Sequence, residues 1–375
     1  MVYHEFNGAK LSSLGLGCMR LPTLETDEQI DMGQLKEMVA FAMDQGINYF
    51  DTAWFYHGGT SEAAMGEVLK DYPREIFHLA TKFPGFDPEF FQKAPEIFEM
   101  QLSNCQVDYF DFYLLHNVCE TNIDYFLSTG VVKYLVEQKK LGRIRHFGFS
   151  THGSLETMKR LLDAYGEHIE FCQIQLNWLD WTLQNARRKV ELLNSRGVAV
   201  WVMEPVRGGR LCQLPEEHTA RLNALHPHWT LPQWAFRFLQ GVPGVTMILS
   251  GMSNMEQLSQ NIDTFSQKLP LSDADRDALL SIGEAMTGNG ILHCTGCRYC
   301  TDHCPQGLNI PWLIELYNGY LYSGGKNLPA RTINTLEDSK KPAACVGCKS
   351  CEGICPQQLP ISEAMADFAR KLREA

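Results

Sequence analysis

The chain has 375 residues, 45% of them hydrophobic and 21% charged, with a formal net charge of −11. This is the composition of a globular protein long enough for one large domain and a small one. The acidic balance argues against a nucleic-acid partner, the apolar runs are too short to span a bilayer, and the opening MVYHEFNGAK lacks the features of a secretory signal, so a cytoplasmic location is expected.

In chain order, short apolar β-rich runs alternate with amphipathic helical runs from about residue 10 to 265. The expected strands are Leu14–Gly17, Tyr49–Asp51, Ile76–Thr81, Phe110–His116, His146–Ser150, Cys172–Gln175, Ala199–Met203 and Thr246–Ser250. Between them lie expected helices at Asp31–Gln45, Ser61–Lys70, Phe90–Leu102, Gly130–Lys140, Leu155–Asp163, Leu183–Ser195 and Leu231–Leu239. Glycines at 46 and 197 close two of these helices just before the next strand. Eight strand–helix units predict a closed parallel (β/α)8 TIM barrel. A doubly wound sheet is the alternative, but Leu14-Gly15-Leu16-Gly17 is too short for a dinucleotide fingerprint.

In such a barrel, chemistry gathers where strands end. Asp51 closes the second expected strand, Lys82 follows the third and His116 closes the fourth, while Tyr56 stands in the loop after Asp51. Any one of these has an ordinary structural explanation; three consecutive strand ends carrying Asp, Lys and His form a pattern. Trp54, Phe55, Trp178 and Trp181 read equally as pocket walls or as packing. Arg20 and His57 read as solvated loop residues.

A helix at Asp273–Ala285 and a glycine-bearing linker, Met286–Gly290, end this region, which divides the chain into residues 1–286 and 287–375. The second part holds eight of the thirteen cysteines. They form two runs of the pattern C-x2-C-x2-C-x3-C-P: Cys294, Cys297, Cys300 and Cys304, then Cys345, Cys348, Cys351 and Cys355. Three closely spaced thiolates wrap one cubane and the fourth reaches the partner cluster. The expected centres are therefore two 4Fe–4S clusters, one on Cys294, Cys297, Cys300 and Cys355, the other on Cys345, Cys348, Cys351 and Cys304. Zinc is the alternative occupant of paired C-x2-C units, but four cysteines in one short run before proline, twice over, suit iron–sulfur clusters better. The expected helices here are Ile310–Tyr322 and Ile361–Leu372. The other five cysteines, Cys18, Cys105, Cys119, Cys172 and Cys212, read as buried free thiols.

Residues 5–265 resemble the aldo/keto reductase superfamily. Asp51-Thr-Ala-Trp-Phe-Tyr56 matches its D-T-A-x-x-Y, Ala80-Thr-Lys82 its lysine strand and Asp108–His116 its histidine strand. The C-terminal part resembles bacterial two-cluster ferredoxins, and the combination points to the ferredoxin-fused branch of the superfamily. The resemblance implies an oxidoreductase that passes hydride between a nicotinamide, NADH or NADPH, and a small carbonyl or alcohol substrate. Tyr56 is the implied acid/base, Lys82 lowers its pKa, Asp51 holds Lys82 and His116 orients the carbonyl. The cofactor contacts carried over are Ser150, Gln173, Asn177, Pro205, Gly208, Gly209, Gly251, Ser253, Gln257 and Asn261. Arg207-Gly-Gly-Arg210 reads as a pyrophosphate loop or as a solvated basic turn, and the neutral Gly251 and Gln257 favour NADH. Hydride moves two electrons and a cluster one, so a flavin such as FMN and an electron-transfer protein partner are further expectations. Pure electron transfer and a non-catalytic regulatory barrel are the competing functions. The sequence leaves the oligomeric state open.

Overall fold

The computed structural model describes residues 1–24, 29–119, 121–153, 155–183, 186–286, 290–322, 333 and 336–374. The expected linker residues 287–289 lie outside this set. The chain forms two compact units, Met1–Val206 with Leu211–Leu279, and Arg207–Arg210 with Leu280–Ala375.

The first unit opens with a hairpin absent from the sequence reading, β1 (Tyr3–Phe6) and β2 (Ala9–Ser12), paired antiparallel. Its two-residue turn is Asn7-Gly8, both at positive φ, the arrangement that matches the twist of a hairpin. Eight parallel strands follow and close into a barrel: β3 (Leu14–Gly17), β4 (Tyr49–Asp51), β5 (His78–Phe83), β6 (Phe110–Leu115), β7 (Ile144–Thr151), β8 (Phe171–Gln175), β9 (Ala199–Met203) and β10 (Val245–Ser250). β10 pairs with both β3 and β9, which completes the ring. Most strand residues are wholly buried, as expected where helices cover the outside of a parallel sheet.

β5 starts two residues later than expected because Arg74–Ile76 forms a 3-10 turn. Arg74 pins that turn through Phe77 O (3.1 Å), Tyr109 O (2.9 Å) and Asp111 (2.6 Å). The helices Glu216–Leu225 and Met255–Thr264 were also not foreseen. Local chemistry explains several helix starts. Asp31 accepts the Gln34 N–H at 3.0 Å, and Thr230 and Gln233 form a reciprocal capping box before Leu231–Gln240. Close helix packing also needs Gly66, where a Cβ would lie 2.5 Å from the Asn104 carbonyl oxygen.

The hairpin plugs the end of the barrel remote from the strand C-termini. Phe6 sits among Trp201, His146, Phe112 and Phe171, with ring centroids 4.9–6.3 Å away. Phe6, Phe112, Phe171 and Trp201, with Leu11, Tyr49, Leu114, Met247 and Leu249, make one apolar layer.

In the second unit, helices Ile310–Tyr322 and Ile361–Glu374 pack through Tyr317 and Tyr320 against Phe368. Its cysteine loops form a repeat offset by fifty-one residues. Gly296 and Gly347 have φ of 67° and 69°, Arg298 and Lys349 66° and 61°, Gly307 and Gln358 57° and 50°. Each loop then leads into one of the two helices. No helix among the described residues is long and apolar enough to cross a membrane.

Candidate active site and cysteine centres

The barrel brings Asp51, Tyr56, Lys82 and His116 together. Asp51 ends β4, Lys82 lies near the end of β5, and His116 follows β6; register sets the three strands side by side. All four side chains are buried. The Lys82 ammonium uses its three donors on Asp51 Oδ1 (2.6 Å), the Thr52 carbonyl (2.7 Å) and the Tyr56 hydroxyl (3.3 Å). The Tyr56 and His116 rings stand edge to face, 6.0 Å apart.

The electrostatics correct one expectation. Burial pushes the Tyr56 phenol well above its ordinary value of 10, and Asp51, Cys18 and Glu204 push the same way, so the opposing pull of the Lys82 ammonium at 3.3 Å is outweighed. Tyr56 is therefore a protonated phenol at neutral pH. Burial also raises the Asp51 carboxyl, against the opposing Lys82 ammonium. Burial, followed by the charges of Lys82 and His152, drives His116 well below its usual range, so its imidazole is neutral.

Behind Lys82 stands a buried network that sequence reading missed. Glu62 Oε1 accepts from Thr81 (2.6 Å) and Gln101 (2.7 Å); Gln101 also donates to the Lys82 carbonyl (3.0 Å) and accepts from the Tyr113 hydroxyl. It clamps the strand that carries Lys82. Its only sequence signal is that Glu62 and Gln101 fall within two expected helices, Ser61–Lys70 and Phe90–Leu102.

Among the expected cofactor contacts, Gln173 is buried in the middle of β8 and its Oε1 has no hydrogen-bond partner among the described residues. A carboxamide N–H is the kind of donor that fits it. Asn177 is a correction: its Nδ2 donates to Asp180 (2.7 Å) and the Glu204 carbonyl (3.0 Å), and its Oδ1 accepts from two backbone N–H groups. That side chain is fully engaged in shaping a turn. Ser150 accepts the Asn117 N–H at 2.8 Å, and Thr151 donates to the Val118 carbonyl at 2.6 Å, so both tie β7 to the loop after β6.

At the far end of the site, Gln257 holds the Ser253 N–H (2.9 Å) and Asn261 donates to Ser250 (3.2 Å). The stem of Arg20 lies over Gly251, where a Cβ would meet Arg20 Cβ at 3.1 Å. Arg20 thus stands beside the expected adenosine contacts. Pro205 is buried, while Gly208 and Gly209 are exposed at positive φ. Arg207 is no solvated turn residue: it is only 1% exposed and donates to Gln357 at 3.2 Å.

The aromatic residues divide. Trp178 is buried in the core, while Trp181 is half-buried and packs on Phe238. Phe55 is exposed and packs with Phe86 and Phe90; Phe86 in turn stands edge-on to His116 at 4.8 Å. His57 accepts the Leu21 N–H at 3.0 Å and is not a solvated loop residue.

The cysteines fall into two groups, each with three from one run and one from the other. Cys294, Cys297, Cys300 and Cys355 line one cavity; Cys304, Cys345, Cys348 and Cys351 line another. Among the described residues no group of three or more His, Cys, Asp and Glu side chains is placed to hold a single metal ion. Four sulfurs spread around a cavity fit a larger cubane. Backbone N–H groups already point at sulfur, from Gly296 to Cys294 (3.4 Å) and from Leu308 to Cys304 (3.5 Å). Burial raises the Cys294 thiol, while backbone N–H of Gly296 and the charges of Arg210 and Arg207 favour its thiolate. Burial and the neighbouring sulfurs raise Cys300 strongly. Of the other five cysteines, Cys18, Cys105 and Cys172 are buried and Cys119 and Cys212 partly so.

Comparison with known proteins agrees with this geometry. Residues 13–284 match the aldo/keto reductase family, and residues 293–360 match the 4Fe-4S dicluster domain. A probable aldo-keto reductase of Glycine max is 30% identical over 210 residues, 54% of this chain and 58% of that protein. The match thus spans little more than half of that relative. An aldo-keto reductase from Bacillus halodurans, solved in its holo form, is 25% identical with a TM-score of 0.63, over 75% of this chain and 96% of the other. An aldo/keto reductase from Klebsiella pneumoniae, solved with NADP and acetate, shares the fold at 22% identity and a TM-score of 0.59, over 73% and 92% of the two chains. With the family match covering well over half of its length, this chain belongs to the aldo/keto reductase family as an oxidoreductase whose barrel is followed by a 4Fe-4S dicluster domain.

Proposed function

We propose that the barrel catalyses reversible reduction of an aldehyde or ketone, with NADH or NADPH as hydride donor and Tyr56 as general acid. The observation that carries this reading is Lys82, whose ammonium bridges Asp51 and the Tyr56 hydroxyl in a buried site beside His116. When bound, the nicotinamide supplies the electron pair that makes the new C–H bond at the carbonyl carbon. Tyr56, protonated at neutral pH, gives its proton to the carbonyl oxygen and regains one from solvent. Its developing phenolate lies next to the Lys82 ammonium, which stabilises charge that appears only as the proton leaves. The neutral His116 donates a hydrogen bond to the same oxygen and orients it. Gln173, with its buried unpaired Oε1, would hold the carboxamide, and the NADP carried by the Klebsiella fold relative supports a nicotinamide here. Asn177 is left out of this cofactor set.

The eight cysteines would hold two 4Fe–4S clusters. Such clusters exchange single electrons, so we read this unit as serving a one-electron protein partner, with a flavin as the carrier that would couple it to hydride chemistry.

The test is Tyr56→Phe in anaerobically reconstituted protein. Nicotinamide-linked carbonyl reduction should vanish while iron, sulfide and the cluster absorbance stay at the parent level. An unchanged turnover number removes Tyr56 as the acid. Extraction of the same sample for nicotinamide and flavin separates the two cofactors.

A further inference from the structure

The two cysteine cavities follow one pattern, but their surroundings differ. In the loop after the second run, Pro356 is buried and Gln357 half-buried; their counterparts after the first run, Pro305 and Gln306, are exposed. Near each cavity a cation hydrogen-bonds to this stretch. Around Cys304 it is Lys340, an exposed side chain whose ammonium donates to the Gly307 carbonyl at 3.2 Å. Beside Cys355 it is Arg207, 1% exposed, whose guanidinium donates to Gln357 Oε1 at 3.2 Å across 150 residues of sequence. Arg207 belongs with Arg210 to the same compact unit as the cysteines. Its backbone sits at φ 52°, between Glu204 at 54° and Gly208 at 64°. A non-glycine residue in that region is uncommon and carries a backbone cost. Here that conformation accompanies delivery of a buried charge to the second turn of the cysteine loop.

We propose that Arg207 is a positioning residue for the first centre, its buried guanidinium raising the reduction potential of the cluster on Cys294, Cys297, Cys300 and Cys355 above that of its neighbour. A cluster that gains an electron gains a negative charge. A fixed cation in a water-poor site stabilises that form, and hydrogen bonds and burial around the sulfurs set the potential. The solvated ammonium of Lys340 is screened and acts weakly on the second cluster. The electron added to the pair therefore rests on the first centre. This inference depends on the reading that the cysteines hold two clusters.

The test is a redox titration of the full reconstituted chain followed by electron paramagnetic resonance, with dithionite as reductant. The Cys304→Ser variant, which should retain the first centre, assigns the two midpoints. The first centre should have the higher one. In Arg207→Gln that midpoint should move to lower potential while the other stays in place, and Arg207→Lys should restore most of the shift. Gln357→Glu, which pairs the guanidinium with a carboxylate, should move the same midpoint in the same direction; it decides the matter if Arg207→Gln fails to load clusters. Equal movement of both midpoints, no movement with iron and sulfide intact, or an equal shift of the first midpoint in Lys340→Gln overturns the proposal. Absence of cubane signals in the parent protein refutes the cluster reading itself, and this inference with it.

Discussion

The barrel site and the cysteine unit reach their geometry by opposite routes. In the barrel, Asp51 and Lys82 lie 31 residues apart in sequence yet hydrogen-bond at 2.6 Å, because the pairing of β4 with β5 and of β5 with β6 sets their positions. In the second unit the contacts that matter are mostly local, repeated at a fixed offset, and shaped by left-handed backbone at Gly296, Arg298, Gly347 and Lys349. A site made by strand register is rigid before any ligand arrives. A site made by short loops around a cavity gains its stability when metal binds its thiolates. The two regions should therefore fail independently.

The largest effect that tests this separation is Lys82→Met. It should lower carbonyl reduction by about 10²–10⁴-fold, the usual scale for losing assistance to proton transfer. Asp51, left without its ammonium but with a burial-raised pKa, takes up a proton, which limits the structural damage. Cluster content should be unaffected, and its loss in parallel with activity breaks the comparison. Next comes Cys304→Ser. Although Cys304 lies in the first run, the variant should lose the second cluster and keep the first, halving iron and sulfide, with nicotinamide-linked turnover near the parent value. Loss of the first cluster instead overturns the crossed ligand sets. Smaller again is Phe6→Ala, which empties the centre of the apolar plug and should destabilise the barrel by about 3–5 kcal/mol, read by thermal unfolding, with the iron content retained.

Legibility in the sequence follows the same division. The cysteine spacing was readable because each loop is local, and the cavities hold the four-residue groups that spacing implies. The eight barrel strands were readable because each is a short, largely apolar run set between helical patterns. What escaped depends on distant parts of the chain. The β1–β2 hairpin carried a plain Asn-Gly turn signal, but its role as a plug rests on Phe6 meeting β6, β8 and β9. Glu62 and Gln101 become a network only once two helices pack behind β5. Asn177 matched a family position, yet its neighbour Asp180 takes its amide. Arg207 read as part of a pyrophosphate loop or a solvated turn because its partner, Gln357, lies 150 residues away. The net Tyr56 pKa escaped because the ammonium was visible in sequence and the burial that outweighs it was not.

That last difference leads to the mildest effect, in the pH profile of carbonyl reduction. The acid must be protonated to act, and Tyr56 has its pKa raised well above 10, so it stays competent through the neutral and moderately alkaline range. His116 must be neutral for the arrangement described, and its pKa lies well below 6.5, so acid does not charge it until the pH is far beneath that value. The two shifts move the limits apart. The rate constant for reduction under saturating cofactor should therefore change little between pH 6 and 9, with no inflection near the ordinary histidine value of about 6.5. The reverse reaction needs the phenolate as base, so alcohol oxidation should climb with pH across the same interval. Measuring both directions on one enzyme gives a sharp check. An acid limb near pH 6.5 would place solvent around His116, and a fall in reduction above pH 8 would show the Lys82 ammonium outweighing the burial of Tyr56. Either result would mean that the barrel site is less rigid and less dry than its strand-set geometry implies.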